Sequence, residues 1–164
     1  MASSAQNELM TRIGPGAPAG NVLRSYWQPV ALSDEMSGSR PVRPVTVFGE
    51  KLVLFRNVDN ALGLISRACG HRGADLCYGR LEDGGLRCPF HGWLFDVSGQ
   101  CIEQPAEPEG STLHQRVRQT SYPVVEKNGV IFSYLGNSKP PCLPNLDCLM
   151  APTRHSFAFK GLVE

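Results

Sequence analysis

Two short segments constrain this chain more than anything else in it. Cys69-Gly-His71 is followed, after a spacer of sixteen residues, by Cys88-Pro-Phe-His91, which runs directly into Gly92-Trp93. Each segment offers one thiolate and one imidazole. A lone tetrahedral zinc is ordinarily held by a Cys pair and then a His pair, both chelating the same ion. The alternating order suits two metals instead. Each segment can send its Cys to one iron and its His to the other, so that one iron has two sulfurs and its neighbour two nitrogens, a donor set known for dinuclear iron–sulfur centres. Whatever fold the chain adopts must hold these segments side by side. A structural zinc site of unusual spacing, or four unrelated Cys and His residues, are the competing readings.

From Tyr26 to Leu135 the chain consists of short apolar runs with turn punctuation. Val45–Phe48 precedes a Gly49-Glu50 turn and Leu52–Phe55; Asp59-Asn60 separates that run from Leu62–Ile65. Trp93–Val97 precedes Ser98-Gly99, and Asn128-Gly129 divides Val124-Val125 from Val130–Phe132. β-Branched and aromatic residues spaced by Gly, Asn and Asp read as hairpins, and no segment shows a long helical period. The expected fold is all-β: an antiparallel domain of two packed sheets, with the Cys/His segments at the tips of two hairpins. Residues 1–20, polar and then rich in Gly and Pro, read as a flexible arm. Gly14–Gly20 lacks the strand–turn–helix context of a nucleotide loop. Residues 21–136 read as the domain itself. Residues 137–164 read as a Pro-rich connector leading into His155–Glu164, whose alternation of apolar and polar residues resembles a strand that has just begun.

Composition narrows the function. The formal net charge is +1, which gives no strong pull toward nucleic acid or membrane. No run of eighteen apolar residues exists, and the N-terminus lacks a basic start followed by an apolar stretch. Of six cysteines, Cys77, Cys101, Cys142 and Cys148 stand outside the two segments. A disulfide framework would imply secretion; without a secretion signal they read as reduced thiols, and the cytoplasm is the expected compartment.

The C-x-H, spacer, C-x-x-H-G-W pattern resembles the Rieske family. Relatives of the oxygenase kind often carry Pro where this chain has Gly70, a change that removes rigidity but no ligand. High-potential members have an extra Cys in each loop, and these form a disulfide. The corresponding residues here are Ala74 and Phe90, so the resemblance points to the low-potential branch. Asn21–Ala31, Leu54-Phe-Arg56, Gly79–Cys88 and Val117–Val125 are similar to α subunits of ring-hydroxylating oxygenases of the phthalate 4,5-dioxygenase kind. Rieske ferredoxins are shorter and lack the N-terminal lead and C-terminal tail.

The resemblance implies a Rieske-type 2Fe-2S cluster held by Cys69, His71, Cys88 and His91. It also implies a reductase of the flavin/iron-sulfur type as electron donor, a homotrimer at full length and an aromatic substrate to hydroxylate or demethylate. The catalytic domain of such subunits holds a mononuclear Fe(II) through two His and a carboxylate. Beyond the cluster segments only His114 and His155 remain, so the catalytic domain is expected on a missing portion or another chain. Trp93 is a candidate cover for the cluster, or an ordinary core aromatic. Arg72 could hold its loop or face a partner, or lie idle on the surface. Tyr78 could donate to a sulfur, or simply be packed. Pro89, Gly73 and Gly92 would shape the loops so that backbone N–H groups face sulfur. His114 reads as a surface residue in a strand-like run; Arg116, Arg118 and Lys127 read as a docking face or a solvated sheet face. A free-standing Rieske electron carrier and a zinc module remain as alternatives.

Overall fold

In the computed structural model, which describes residues 3–145, eleven strands follow one another: β1 (Trp27–Leu32), β2 (Val42–Val47), β3 (Glu50–Arg56), β4 (Leu62–Ser66), β5 (Arg80–Glu82), β6 (Gly85–Arg87), β7 (Leu94–Phe95), β8 (Cys101–Glu103), β9 (Ser121–Tyr122), β10 (Val124–Lys127) and β11 (Val130–Tyr134). All pair antiparallel, so the all-β expectation holds. They form three sheets rather than two, in the orders β1-β11-β10, β2-β3-β4-β9 and β5-β6-β7-β8.

The extra sheet follows from the apolar run in β3. Side chains on a strand alternate between faces. Leu52 and Leu54 join Leu64 of β4 in a core with Val30, Ala31 and Ile131 from the first sheet. Val53 and Phe55 join Ile65 in a second core on the opposite face, with Leu86, Phe95 and Cys101 from the third sheet. β3 and β4 of the second sheet are therefore buried on both faces, which is why β3 is continuously apolar where a half-exposed strand would alternate.

Turn chemistry fixes the registers. Val47 pairs with Glu50 across a two-residue turn at Phe48 (φ 49) and Gly49 (φ 79). Lys127 pairs with Val130 across Asn128 (φ 50) and Gly129 (φ 83). Two consecutive positive φ values give the twist that hairpins prefer. The first turn lies one residue earlier than its Gly49-Glu50 placement, because Phe48 itself takes a positive φ.

The N-terminal segment carries two short helices. Helix α1 (Ser4–Thr11) starts at a reciprocal cap in which Ser3 and Gln6 satisfy each other's backbone N–H, and α2 (Pro18–Arg24) starts with Pro in its first turn. Both are too short to show a period in sequence. Arg24 anchors α2: it is buried, ion-paired with Glu50, and bonded to the Phe48 carbonyl at 3.3 Å. The Tyr122 hydroxyl donates to the other Glu50 oxygen at 2.6 Å. His114 lies in a 3-10 turn, Leu113–Arg116, and not in a strand. Among the described residues no helix is long and apolar enough to cross a membrane. The expected connector is described only through residue 145; Cys148, His155 and the expected strand to Glu164 lie outside the described residues.

Candidate metal centre

The two Cys/His segments fold into loops of one backbone design. In the first, the Cys69 N–H donates to the Ala74 carbonyl at 2.8 Å, and the Gly73 N–H returns to the Cys69 carbonyl at 2.8 Å. In the second, the Cys88 N–H donates to the Trp93 carbonyl at 2.8 Å, and the Gly92 N–H returns to the Cys88 carbonyl at 3.2 Å. Gly73 (φ 70) and Gly92 (φ 75) occupy the same place, four residues after each Cys, in a conformation that strains any residue with a Cβ. The second loop caps the β6–β7 hairpin, as expected. The first does not sit on a hairpin of long strands: it crosses from β4 in the middle sheet to β5 in the third, closed by an Ala68–Asp75 bridge.

The four donors pair by kind. Cys69 and Cys88, 3% and 4% exposed, belong to the core between the second and third sheets. His71 and His91 lie outward, His71 exposed and His91 half-buried, with ring centroids 4.6 Å apart. Burial pushes the Cys69 thiol up to about 11; the adjacent Cys88 adds to this, while the backbone N–H groups of His71 and Arg72 oppose it. Burial, with smaller contributions from His71 and Arg72, lowers the His91 pKa and favours the neutral, metal-binding imidazole. Among the described residues no three His, Cys, Asp or Glu side chains converge as one ion would require. Two thiols on the inside and two imidazoles on the outside fit a dinuclear group, which would bind the thiols with loss of their protons.

Aromatic rings brace both imidazoles. Trp93, 9% exposed, stacks on His71 with centroids 4.5 Å apart and planes 5° from parallel. It also packs near Phe95 in the core, as the core reading of Trp93 expects. Phe90, largely exposed, lies against His91 with centroids 3.9 Å apart. Tyr78 is 74% exposed, which corrects its reading as a packed aromatic, and no hydrogen bond of its hydroxyl occurs among the described residues. Arg72 is exposed beside His71. Ala74 packs half-buried against the core.

Sequence reasoning passed over the side chains that hold the loops from outside. Arg67 grips Asp75 across the neck of the first loop through two nitrogens, at 2.9 and 2.5 Å, and Asp75 also accepts the Cys77 N–H at 2.9 Å. Arg67 holds the Asp75 carboxyl down at about 2. Buried Gln119 donates to the Ala68 carbonyl at 2.9 Å, and its Oε1 lies 3.3 Å from where a Cβ on Gly70 would sit. Arg87 bonds Glu82, Glu103 (2.6 Å) and the Gly92 carbonyl. The adjacency of Arg87 to Cys88 was visible in sequence; its carboxylate partners come from other strands and carried no local signal.

Residues 26–126 match the family model for the Rieske [2Fe-2S] domain. The chain belongs to that family. Its cofactor is the Rieske two-iron, two-sulfur cluster. The chain is 47% identical over 141 residues to the phenoxybenzoate dioxygenase α subunit of Ectopseudomonas oleovorans, covering 85% of this chain and 34% of that protein. It is 42% identical over 149 residues to the 5,5'-dehydrodivanillate O-demethylase oxygenase subunit of Sphingobium sp., covering 88% of this chain and 35% of that subunit. A solved complex between the oxygenase and ferredoxin of carbazole 1,9a-dioxygenase has a similar fold, with TM-score 0.67 and 26% identity over 84% of this chain and 33% of that one. The Rieske chain thus spans about a third of the length of the curated relatives it matches.

Proposed function

We propose that Cys69 and Cys88 hold one iron of the cluster and His71 and His91 the other. In this reading residues 21–136 are the electron-transfer unit of an aromatic-ring-hydroxylating or demethylating oxygenase. The observation that carries the reading is the sorting of donors, thiols inward and imidazoles outward, on two loops of one design. When bound, the cluster supplies one-electron redox chemistry. The chain's own residues do the rest. Cys69 and Cys88, buried in the core, would hold their iron away from water, and Trp93 shields the face of His71. Each neutral imidazole binds through one ring nitrogen and leaves its other N–H at the surface for a partner group.

The electron comes from a flavin/iron-sulfur reductase or a ferredoxin and passes to a mononuclear iron in a catalytic domain. The parent assembly is a cytoplasmic homotrimer, and residues 137–164 connect to its catalytic domain. Similarity to subunits named for phenoxybenzoate and dehydrodivanillate supports an aromatic acid as substrate. Voltammetry tests the redox class. With Ala74 and Phe90 in place of a bridging cysteine pair, the midpoint should fall at about −150 to 0 mV near neutral pH; a value near the top of the Rieske range, about +300 mV, contradicts the reading. A second test is single turnover. The reduced 164-residue chain, given oxygen and aromatic acids, should yield no hydroxylated product until a catalytic domain is supplied; product from this chain alone contradicts the division of labour.

A further inference from the structure

Two glycines, Gly73 and Gly92, sit at the corresponding point of the two ligand loops, and a residue without a Cβ is the softest link in a backbone. Gly92 directly follows His91, so freedom at Gly92 becomes freedom of the imidazole. The loop itself holds the Gly92 N–H, on the Cys88 carbonyl. Its carbonyl is held from outside the loop by Arg87 Nη1.

The rest of the Arg87 side chain makes that hold stiff. Its Nε meets Glu82 on β5, and its Nη2 donates to Glu103 on β8 at 2.6 Å. The side chain is only 13% exposed. A planar guanidinium bonded along three directions cannot rotate without breaking one of them, whereas an ammonium on a flexible stem has no such fork. The crowding is close on the other side as well: a Cβ on Gly92 would lie 3.3 Å from Pro105 and 3.9 Å from Arg87 Nη1. The first loop is secured differently, by Arg67 and Asp75 across its neck.

We propose that Arg87 is a positioning residue for the cluster: through the Gly92 carbonyl it fixes the second ligand loop and with it the orientation of the His91 imidazole. The inference rests on reading Cys88 and His91 as cluster ligands. A merely structural Arg87 would brace the third sheet and leave the cluster's electronic properties alone. Ligand orientation and outer hydrogen bonds tune a metal centre, so a positioning role moves its potential and spectrum.

The experiment uses the cluster-loaded chain and compares Arg87→Met, Arg87→Lys, Glu103→Gln and Arg80→Met. Arg80 also pairs with Glu82 but is 75% exposed and touches no loop carbonyl, so it controls for loss of charge. Arg87→Met should keep the wild-type iron and sulfide content while shifting the midpoint potential and the EPR g values of the reduced protein. Arg87→Lys should return part of both shifts, and Arg80→Met should match the wild type. A variant Arg87→Met with lower thermal stability but wild-type potential and g values overturns the proposal. So does Arg80→Met reproducing the Arg87→Met changes. Where Arg87→Met does not hold its cluster, Glu103→Gln decides: a smaller shift of the same g values supports the proposal, and wild-type values overturn it. A wild-type chain without iron and sulfide refutes the ligand assignment itself, before any variant is compared.

Discussion

At the scale of single residues, a half-buried carboxylate places a demand on its surroundings for a counter-charge. Asp75 meets it through Arg67. Because the folded carboxyl is held at about 2 rather than 3.8, its stabilisation is complete above the ordinary carboxylate pKa and fades as pH falls through 4 toward 2. Asp75→Asn should therefore cost about 1 kcal/mol at pH 7, an estimate discounted for partial exposure. The difference in thermal melts between variant and wild type should stay constant from pH 7 to 5 and narrow below about pH 4; a gap that widens with acid contradicts this. Trp93 is the other informative residue. Truncation of a ring 9% exposed should cost about 3–5 kcal/mol in Trp93→Ala, read by denaturant titration, with Trp93→Phe closer to wild type. The four proposed ligands were legible in sequence because their order and spacing are chemically specific. Arg67, Gln119 and Arg87 were not, since their roles depend on acceptors that only the fold brings near.

Elements of secondary structure were readable where a turn residue announces itself and obscure where length is short. Asn128-Gly129 marks its hairpin, because both residues tolerate positive φ. Phe48 takes a positive φ without any such signal, so the turn signal in the sequence falls one residue late. The helices α1 and α2 span eight and seven residues, about two turns each, too few for a period to emerge. The third sheet is built from strands of two or three residues. Alternation cannot identify strands so short; Arg87 on β6 ties them together by bonding Glu82 on β5 and Glu103 on β8. Glycine substitutions separate the two situations. A Cβ at Gly85 would lie 2.0 Å from the Phe95 carbonyl oxygen, so Gly85→Ala must part β6 from β7 beneath the second loop. Gly129 meets nothing within 4 Å but has φ 83, so Gly129→Ala should cost about 1–2 kcal/mol of backbone strain alone. Iron per chain should fall sharply in Gly85→Ala and stay at the wild-type value in Gly129→Ala. Full iron in Gly85→Ala contradicts the packing argument.

For the whole molecule, the arrangement is a layered one in which β3 and β4 are buried on both faces and the two Cys/His loops reach into the core on one of them. Cys69 and Cys88 sit in the same core as Phe55, Ile65 and Phe95, so metal binding and packing of the third sheet are expected to be coupled. The all-β class was legible from β-branched runs and turns; the division into three sheets was not, because the two-sided burial of β3 reads in sequence only as a continuous apolar run. Metal and sulfide analysis of the purified chain tests the central claim most directly. The purified chain should carry about two irons and two acid-labile sulfides, lost together in Cys69→Ser or Cys88→Ser. Stoichiometric zinc without sulfide would contradict it.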